Sequence, residues 1–187
     1  RPSISVNFHG GTEVVNYPFD TWAELHADNG WFRFISSEYA QLASSKLPGY
    51  MNTFPQGITN GFDWYEVNGG RQDFVTFFLR GRETTIELSR EKTPPEEKIL
   101  KYWEANLESM INYLKQGTYG INGRITDSIS GEPIMGEIRL IGHDKINSSV
   151  FSDSVYGKYY RYLKGGNYDL RINAENYLPV TIPGLSI

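Results

Sequence analysis

His9 stands in Phe8-His-Gly-Gly11, directly after a run that alternates small polar and apolar residues. Glu87 stands in Thr84-Thr-Ile-Glu-Leu-Ser89, where a period of two puts Thr85, Glu87 and Ser89 on one face and Ile86 and Leu88 on the other. An imidazole at a strand end, followed by two glycines, has little steric cover. A carboxylate on a strand face can take up a proton and give it back. Together they suit amide hydrolysis assisted by zinc, in which three protein ligands leave one coordination position open for water and a nearby carboxylate serves as base and then as acid. Taken alone, each residue has a plainer reading. One histidine makes no zinc site, and a strand glutamate is ordinarily a solvated-face carboxylate. The chain has three histidines, and none begins a His-x-x-Glu pair that could supply two further ligands.

Such residues need strands and loops to hold them. Residues 3–8 read as a strand immediately after Arg1, so the chain is expected to begin inside a domain, with a processed mature N-terminus as the alternative. Ser36 or Ser37 can cap a helix running to about Ser45 and closed by Lys46-Leu-Pro-Gly49. A long Gly/Pro/Asn loop follows to about Phe62, and loops of that length in compact domains usually carry function. Residues 74–78 and 84–89 read as strands. The best-marked helix has Thr93 as N-cap, Pro94 at its first position, Glu96 completing a capping box and Gly117 as its stop. Ile99, Leu100, Trp103, Leu107, Met110, Ile111 and Leu114 recur at helical spacing, so that face is expected to be core rather than a cofactor site.

From Tyr119 the texture changes. Residues 120–126, 136–141, 159–163, 168–173 and 180–183 are short β-rich runs separated by turn clusters such as Ser130-Gly-Glu-Pro133 and Lys164-Gly-Gly-Asn167, which predicts a small antiparallel β-sandwich. His143, beside Asp144 in a polar turn, reads as a solvated residue, because a metal site needs several convergent ligands. The whole chain, 187 residues with 39% hydrophobic and 14% aromatic, can bury one sizeable core or two small ones. Its net charge of −4 is spread over intermixed signs without a basic stripe, which argues against nucleic acid as a partner. No apolar run reaches the ~18 residues of a membrane span, and no charged segment followed by an apolar one marks a signal peptide. Zero cysteines exclude disulfides and thiolate metal sites but leave the redox compartment open.

A series of short motifs occurs in one order. Phe8-His-Gly-Gly11 is followed by Val15-Asn-Tyr-Pro-Phe-Asp20, Gly57-Ile-Thr-Asn-Gly61, Trp64-Tyr65, Gly69-Gly70, Gln72-Asp73, the run from Glu83 to Ser89, Pro94-Pro-Glu96 and the helix carrying Trp103. The order resembles the regulatory branch of the zinc metallocarboxypeptidases, the carboxypeptidase N, E, M and D group. The resemblance extends to the tail, where Gly120-Ile-Asn-Gly-Arg-Ile-Thr126, Gly131-Glu-Pro-Ile134, Gly157-Lys-Tyr-Tyr160 and Gly166-Asn-Tyr168 are similar to that group's transthyretin-like domain.

The resemblance implies an α/β fold: the later half of a mixed sheet flanked by helices over residues 1–117, then an all-β transthyretin-like sandwich over 118–187. It implies Zn2+ as cofactor with His9 as the last of three ligands, and Glu87 as general base and acid. It assigns Tyr65 to a mobile loop that closes over the substrate, and Asp20, Gln72 and Thr85 to substrate binding. A carboxylate at the base of the pocket selects Lys or Arg, because a buried cation needs a partner. The expected partners are therefore peptide or protein C-termini, and the expected location is extracytoplasmic. The sequence departs from the branch in three respects. The upstream half, with its His-x-x-Glu ligands and the residues that hold the substrate carboxylate, is missing, so this portion alone is expected to be inactive. Arg71 occupies a place where the branch carries Met, adding a cation near a pocket meant for cations. Arg90 and Glu91 replace paired cysteines of animal members. Two other readings stay open: a non-catalytic relative that binds peptides or partners, and an adhesion module whose aromatic surface is Tyr156, Tyr159, Tyr160 and Tyr162.

Overall fold

The computed structural model describes residues 3–187 and falls into two units, Arg1–Thr118 and Tyr119–Ile187. The first contains a mixed sheet of four strands: β1 (Ile4–His9), β2 (Thr12–Tyr17), β3 (Ile58–Asn60) and β4 (Arg82–Ser89). Their order is β1-β4-β2-β3, with β1 parallel to β4, β4 antiparallel to β2, and β2 parallel to β3. β4 is flanked on both edges, and Thr84, Thr85, Ile86, Glu87 and Ser89 are all buried. Glu87 is thus no solvated-face carboxylate, and a buried charge without a partner is costly enough to need a purpose.

Two long helices, α1 (Asn29–Lys46) and α4 (Glu96–Lys115), pack against each other through a polar seam. Ser109 Oγ donates to the Tyr39 carbonyl (3.0 Å), and the Tyr39 hydroxyl donates to Asn106 Oδ1 (2.9 Å). Asn106 Nδ2 donates to the Tyr50 hydroxyl (2.9 Å), which donates to the Leu88 carbonyl of β4 (2.8 Å). Thr84 Oγ1 donates to the Tyr113 hydroxyl (3.0 Å), which donates to the Ser5 carbonyl of β1 (2.9 Å). Every link is satisfied, so these polar groups are buried without an unpaired donor or acceptor. The helix layer is thereby tied to the sheet face that carries Thr84.

Several elements differ from the sequence expectation, each for a local reason. α1 starts at Asn29 rather than at Ser36 or Ser37, because Trp31, Phe32, Ile35 and Tyr39 extend the buried face by two turns towards the N-terminus. The residue before it, Asp28, gives its carboxylate to Arg82 (Nε 2.8 Å, Nη2 2.7 Å) instead of capping the helix. α4 starts at Glu96, with Thr93 and Pro94 outside it: Pro95 forces the residue before it out of the helical region, so the helix forms only beyond the second proline. It ends at Lys115, followed by a tight turn over Gln116–Thr118. The expected loop to Phe62 contains β3 and α2 (Gly61–Trp64). Residues 74–78 are helical, continuing from α3 (Arg71–Asp73), and not a strand. Phe74 and Phe78 stack one turn apart with ring centres at 5.7 Å, and Phe77 turns to Trp22 at 5.3 Å, so tertiary packing overrides their β-propensity.

The apolar stripe of α4 is not core. Ala105, Asn106, Ser109 and Tyr113 are the buried residues, whereas Ile99, Leu100, Trp103, Leu107, Ile111 and Leu114 are exposed. Close approach to α1 selects small and hydrogen-bonding side chains, and the stripe is turned away from the seam.

The second unit is all β. β5 (Ile121–Arg124) pairs with β8 (Lys158–Arg161), and β6 (Gly136–Leu140), β7 (Val150–Phe151), β9 (Asn167–Ala174) and β10 (Val180–Ser186) form an antiparallel sheet in the order β10-β9-β6-β7. Ile138, Leu140, Val150, Tyr159, Leu163 and Leu170 make its core. Asp144 is buried and structural: its carboxylate accepts from Arg161, from the Leu140 amide (2.7 Å) and from Ser148 Oγ (2.8 Å). Of the four tyrosines expected on an aromatic surface, Tyr159 and Tyr162 are buried, and Tyr156 and Tyr160 are exposed.

Candidate active site

The register of β1 on β4 makes His9 and Glu87 partners. Partnered residues on neighbouring strands present their side chains to the same face, so imidazole and carboxylate stand side by side at the end of two parallel strands. Two residues back, Thr85 is partnered by Asn7 on β1 and by Asn16 on β2, which extends the same face as a polar row. It is the face opposite the one through which Thr84 reaches α4. His9 is exposed and Glu87 buried. Burial raises the Glu87 carboxyl above its ordinary value, and the charges of His9 and Lys92 pull it partly back. Its Oε2 is buried and has no hydrogen-bond partner among the described residues. That acceptor is open to a proton.

Asp20 follows β2 and is buried, 6% exposed. Its Oδ1 accepts from Asn16 Nδ2 (2.9 Å) and from Gln72 Nε2 (3.0 Å), while Oδ2 accepts no hydrogen bond from the described residues. The main chain around it is fixed as well. Both carboxylate oxygens of Asp73 accept from the Asp20 amide (3.0 Å each), Asp73 Oδ2 also accepts from the Thr21 amide (2.8 Å), and the Asp20 carbonyl accepts from the Val67 amide (3.0 Å). Gly61 approaches so closely that a Cβ there would lie 1.7 Å from Asp20 Oδ1, which is why the turn into α2 carries glycine. Burial lifts the Asp20 carboxyl from 3.8 to about 6; the Asn16 hydrogen bond opposes the rise and the neighbouring Asp73 charge adds to it.

Two more acceptors near Asp20 lack donors. Asn16 Oδ1 and Gln72 Oε1 are buried without partners among the described residues, although each amide gives its N–H to Asp20. Because the two heteroatoms of an amide are only ~2.3 Å apart, both orphan oxygens lie within about 5 Å of Asp20 Oδ1. Arg71 is not loose in this region: its Nε and Nη2 grip both oxygens of Glu83 at 3.1 and 3.2 Å, and Glu83 is fully buried and also accepts from Ser5 Oγ (2.5 Å). Tyr65 follows α2, 54% exposed, with its ring edge-on to Trp64 at 4.7 Å and no hydrogen bond to its hydroxyl among the described residues. Structure thus joins His9 to Glu87 and Thr85, and Asp20 to Gln72. It adds Asn16, Gly61 and Asp73, for which the sequence holds one usable signal, the four-residue spacing of Asn16 and Asp20.

The sequence profile of the zinc carboxypeptidase family matches residues 1–109. The chain belongs to that family. It is 37% identical to carboxypeptidase D of Rattus norvegicus over 95% of its own length, 34% identical to carboxypeptidase M of Mus musculus over 98%, and 33% identical to the catalytic chain of carboxypeptidase N of Homo sapiens over 96%. It spans only part of each of these relatives: 14%, 45% and 41% of their respective lengths. No helix among the described residues is long and apolar enough to cross a membrane.

Proposed function

We propose that this chain is the portion of a zinc carboxypeptidase that selects the last side chain of a peptide and supplies the general base, and that its substrates end in Lys or Arg. The observation that carries the reading is the cluster of acceptors at Asp20. A buried carboxylate with one free oxygen lies beside two amide oxygens that also lack donors. A cation with several N–H groups satisfies such a cluster, whereas an apolar side chain leaves it desolvated and unpaired. Arg71 does not neutralise it, because Glu83 holds that guanidinium.

His9 fits one zinc ligand, an accessible imidazole at a strand end. Three ligands are needed, and among the described residues of the first unit no three His, Asp or Glu side chains converge closely enough to hold an ion. The other ligands therefore belong to a preceding segment of the complete polypeptide. The exposed stripe of α4 and the free edge of β1 support that assignment, since both are surfaces such a segment would cover. When bound, the ion lowers the pKa of a water and polarises the scissile carbonyl. Glu87 receives the proton at Oε2 and returns it to the leaving amine. Its raised carboxyl makes it a stronger base than a solvated glutamate. Tyr65, exposed with a free hydroxyl, closes over the terminal residue, and Thr85 lines the same face. The second unit, taken from residue 118, is a transthyretin-like accessory domain, and the location is extracytoplasmic by resemblance to the branch. Assay of the complete polypeptide on peptides ending in Arg, Lys and Leu, with and without chelator, tests the reading. Basic ends should be strongly preferred and the chelator should abolish cleavage; metal-independent cleavage or equal rates on all three would refute it.

A further inference from the structure

We propose that Asp73 is a positioning residue for the pocket: it fixes the backbone of Asp20 and, through its own charge, sets the acidity at which Asp20 stops accepting a basic side chain. The proposal rests on the reading of Asp20 as the selecting carboxylate. α3 holds Asp20 twice, and the two grips differ. Gln72 donates to the side chain at 3.0 Å, whereas Asp73 accepts from the main-chain amides of Asp20 and Thr21 at 2.8 to 3.0 Å. Both residues are buried, Gln72 at 1% and Asp73 at 5% exposure. The three contacts, made by two main-chain N–H groups, hold the Asp20 backbone and at the same time bring a second carboxylate close to the one that must stay ionised.

Like charges at close range oppose each other's ionisation. The charged groups on the elements around Asp20 are Asp73 and Arg71 on α3, Asp63 on α2, Glu66 beside Val67, Glu13 on β2, where it pairs with Arg90, and Arg82, Glu83 and Glu87 on β4. Arg71 and Glu83 neutralise each other, and in the following segment Arg82 pairs with Asp28, beside His26. Asp73 is the charge that raises Asp20, on top of burial. A pocket built this way takes a cation at neutral pH and loses its hold as the pH falls towards the Asp20 midpoint.

The test is the complete polypeptide and its Asp73→Asn variant, each assayed from about pH 5 to about pH 8 on two peptides that differ only in ending in Arg or in Leu. Taking the ratio of the two kcat/KM values at each pH cancels the ionisations of Glu87 and of the metal site, leaving the pocket. In the unmodified enzyme the ratio should fall on the acid side. Asp73→Asn keeps an acceptor for the amides but removes the charge, so the fall should move to lower pH by roughly one unit, leaving the variant several-fold more Arg-selective at about pH 5. An unmoved fall overturns the proposal while leaving the selecting role of Asp20 intact. A ratio near one at neutral pH overturns that role, and the proposal with it. Asp73→Glu keeps the charge and disturbs the grip, so it should raise KM for the Arg-ended peptide at every pH without moving the fall. If neither variant folds, an NMR titration of the Asp20 carboxyl in the unmodified enzyme decides: a midpoint in the usual aspartate range overturns the proposal.

Discussion

Replacing Asp20 with asparagine should stabilise the first unit at neutral pH while abolishing the preference for basic ends proposed for the complete polypeptide. The carboxyl is lifted from 3.8 to about 6, so the fold favours its protonated form. Below about pH 4 it is protonated both folded and unfolded, and the substitution changes little. As pH rises from about 4 to about 6, the unfolded chain ionises the group while the folded protein still holds it protonated, so stability is lost relative to the variant until the loss levels off above the folded midpoint. At ~1.4 kcal/mol per pH unit, the lift of this buried group corresponds to roughly 2 to 3 kcal/mol. The variant keeps an oxygen for Asn16 and Gln72, so no hydrogen bond is lost on that side. The assay is denaturant unfolding of the complete polypeptide at about pH 7 and about pH 4, followed by tryptophan fluorescence, because Trp22, Trp31, Trp64 and Trp103 all lie in the first unit. A variant no more stable at neutral pH, or a gain that persists undiminished at acid pH, refutes the reasoning.

Gly61→Ala places a methyl 1.7 Å from Asp20 Oδ1 and 2.9 Å from its Cα, so it should cost about 2 kcal/mol or more by thermal unfolding and raise KM for Arg-ended peptides. Glu87→Gln removes the proton acceptor but keeps the shape, so turnover should fall by roughly 10²- to 10⁴-fold with metal content by elemental analysis unchanged. Asp144→Asn removes the counter-charge of the fully buried Arg161 and should destabilise the second unit by about 3 kcal/mol, read by circular dichroism; an unchanged melting curve would show the pair to be dispensable.

Strands β1 and β4 are legible in the sequence because each carries a period of two, and the β-rich tail because turn residues punctuate it. The starts of both long helices are not legible there, for identifiable reasons. In α4 a proline pair displaced the start that Thr93 and Glu96 signalled, and in α1 buried aromatics outweighed two serines that look like caps. The stripe on α4 was legible as a face, but periodicity cannot say which side of a helix meets its neighbour, and here the polar side does. The site divides in the same way. His9, Glu87, Asp20 and Gln72 were readable as motif residues, yet their pairing depends on contacts across about 50 to 80 residues of chain, which local spacing does not encode. Asn16, Asp73 and the Arg71–Glu83 pair act through such contacts, and only the folded register exposes them.

What the buried acceptors cost bears on how sharply the pocket can choose. Glu87 Oε2, Gln72 Oε1 and Asn16 Oδ1 are each buried without a donor, and each such group costs about 1 to 3 kcal/mol until something satisfies it. A domain with roughly 5 to 15 kcal/mol of net stability keeps few such groups without a return. Near Asp20 the return under the proposed function is selectivity. A site built to hydrogen-bond its ligand rejects an analogue without donors far more strongly than an apolar pocket rejects one of the wrong size. Arginine and lysine both bring several N–H groups and a positive charge, whereas leucine brings neither. The factor separating Arg-ended from Leu-ended peptides should therefore exceed, by at least about tenfold, the factor separating Arg-ended from Lys-ended ones. If size rather than donors governed the pocket, leucine and lysine ends would instead be turned over at similar rates.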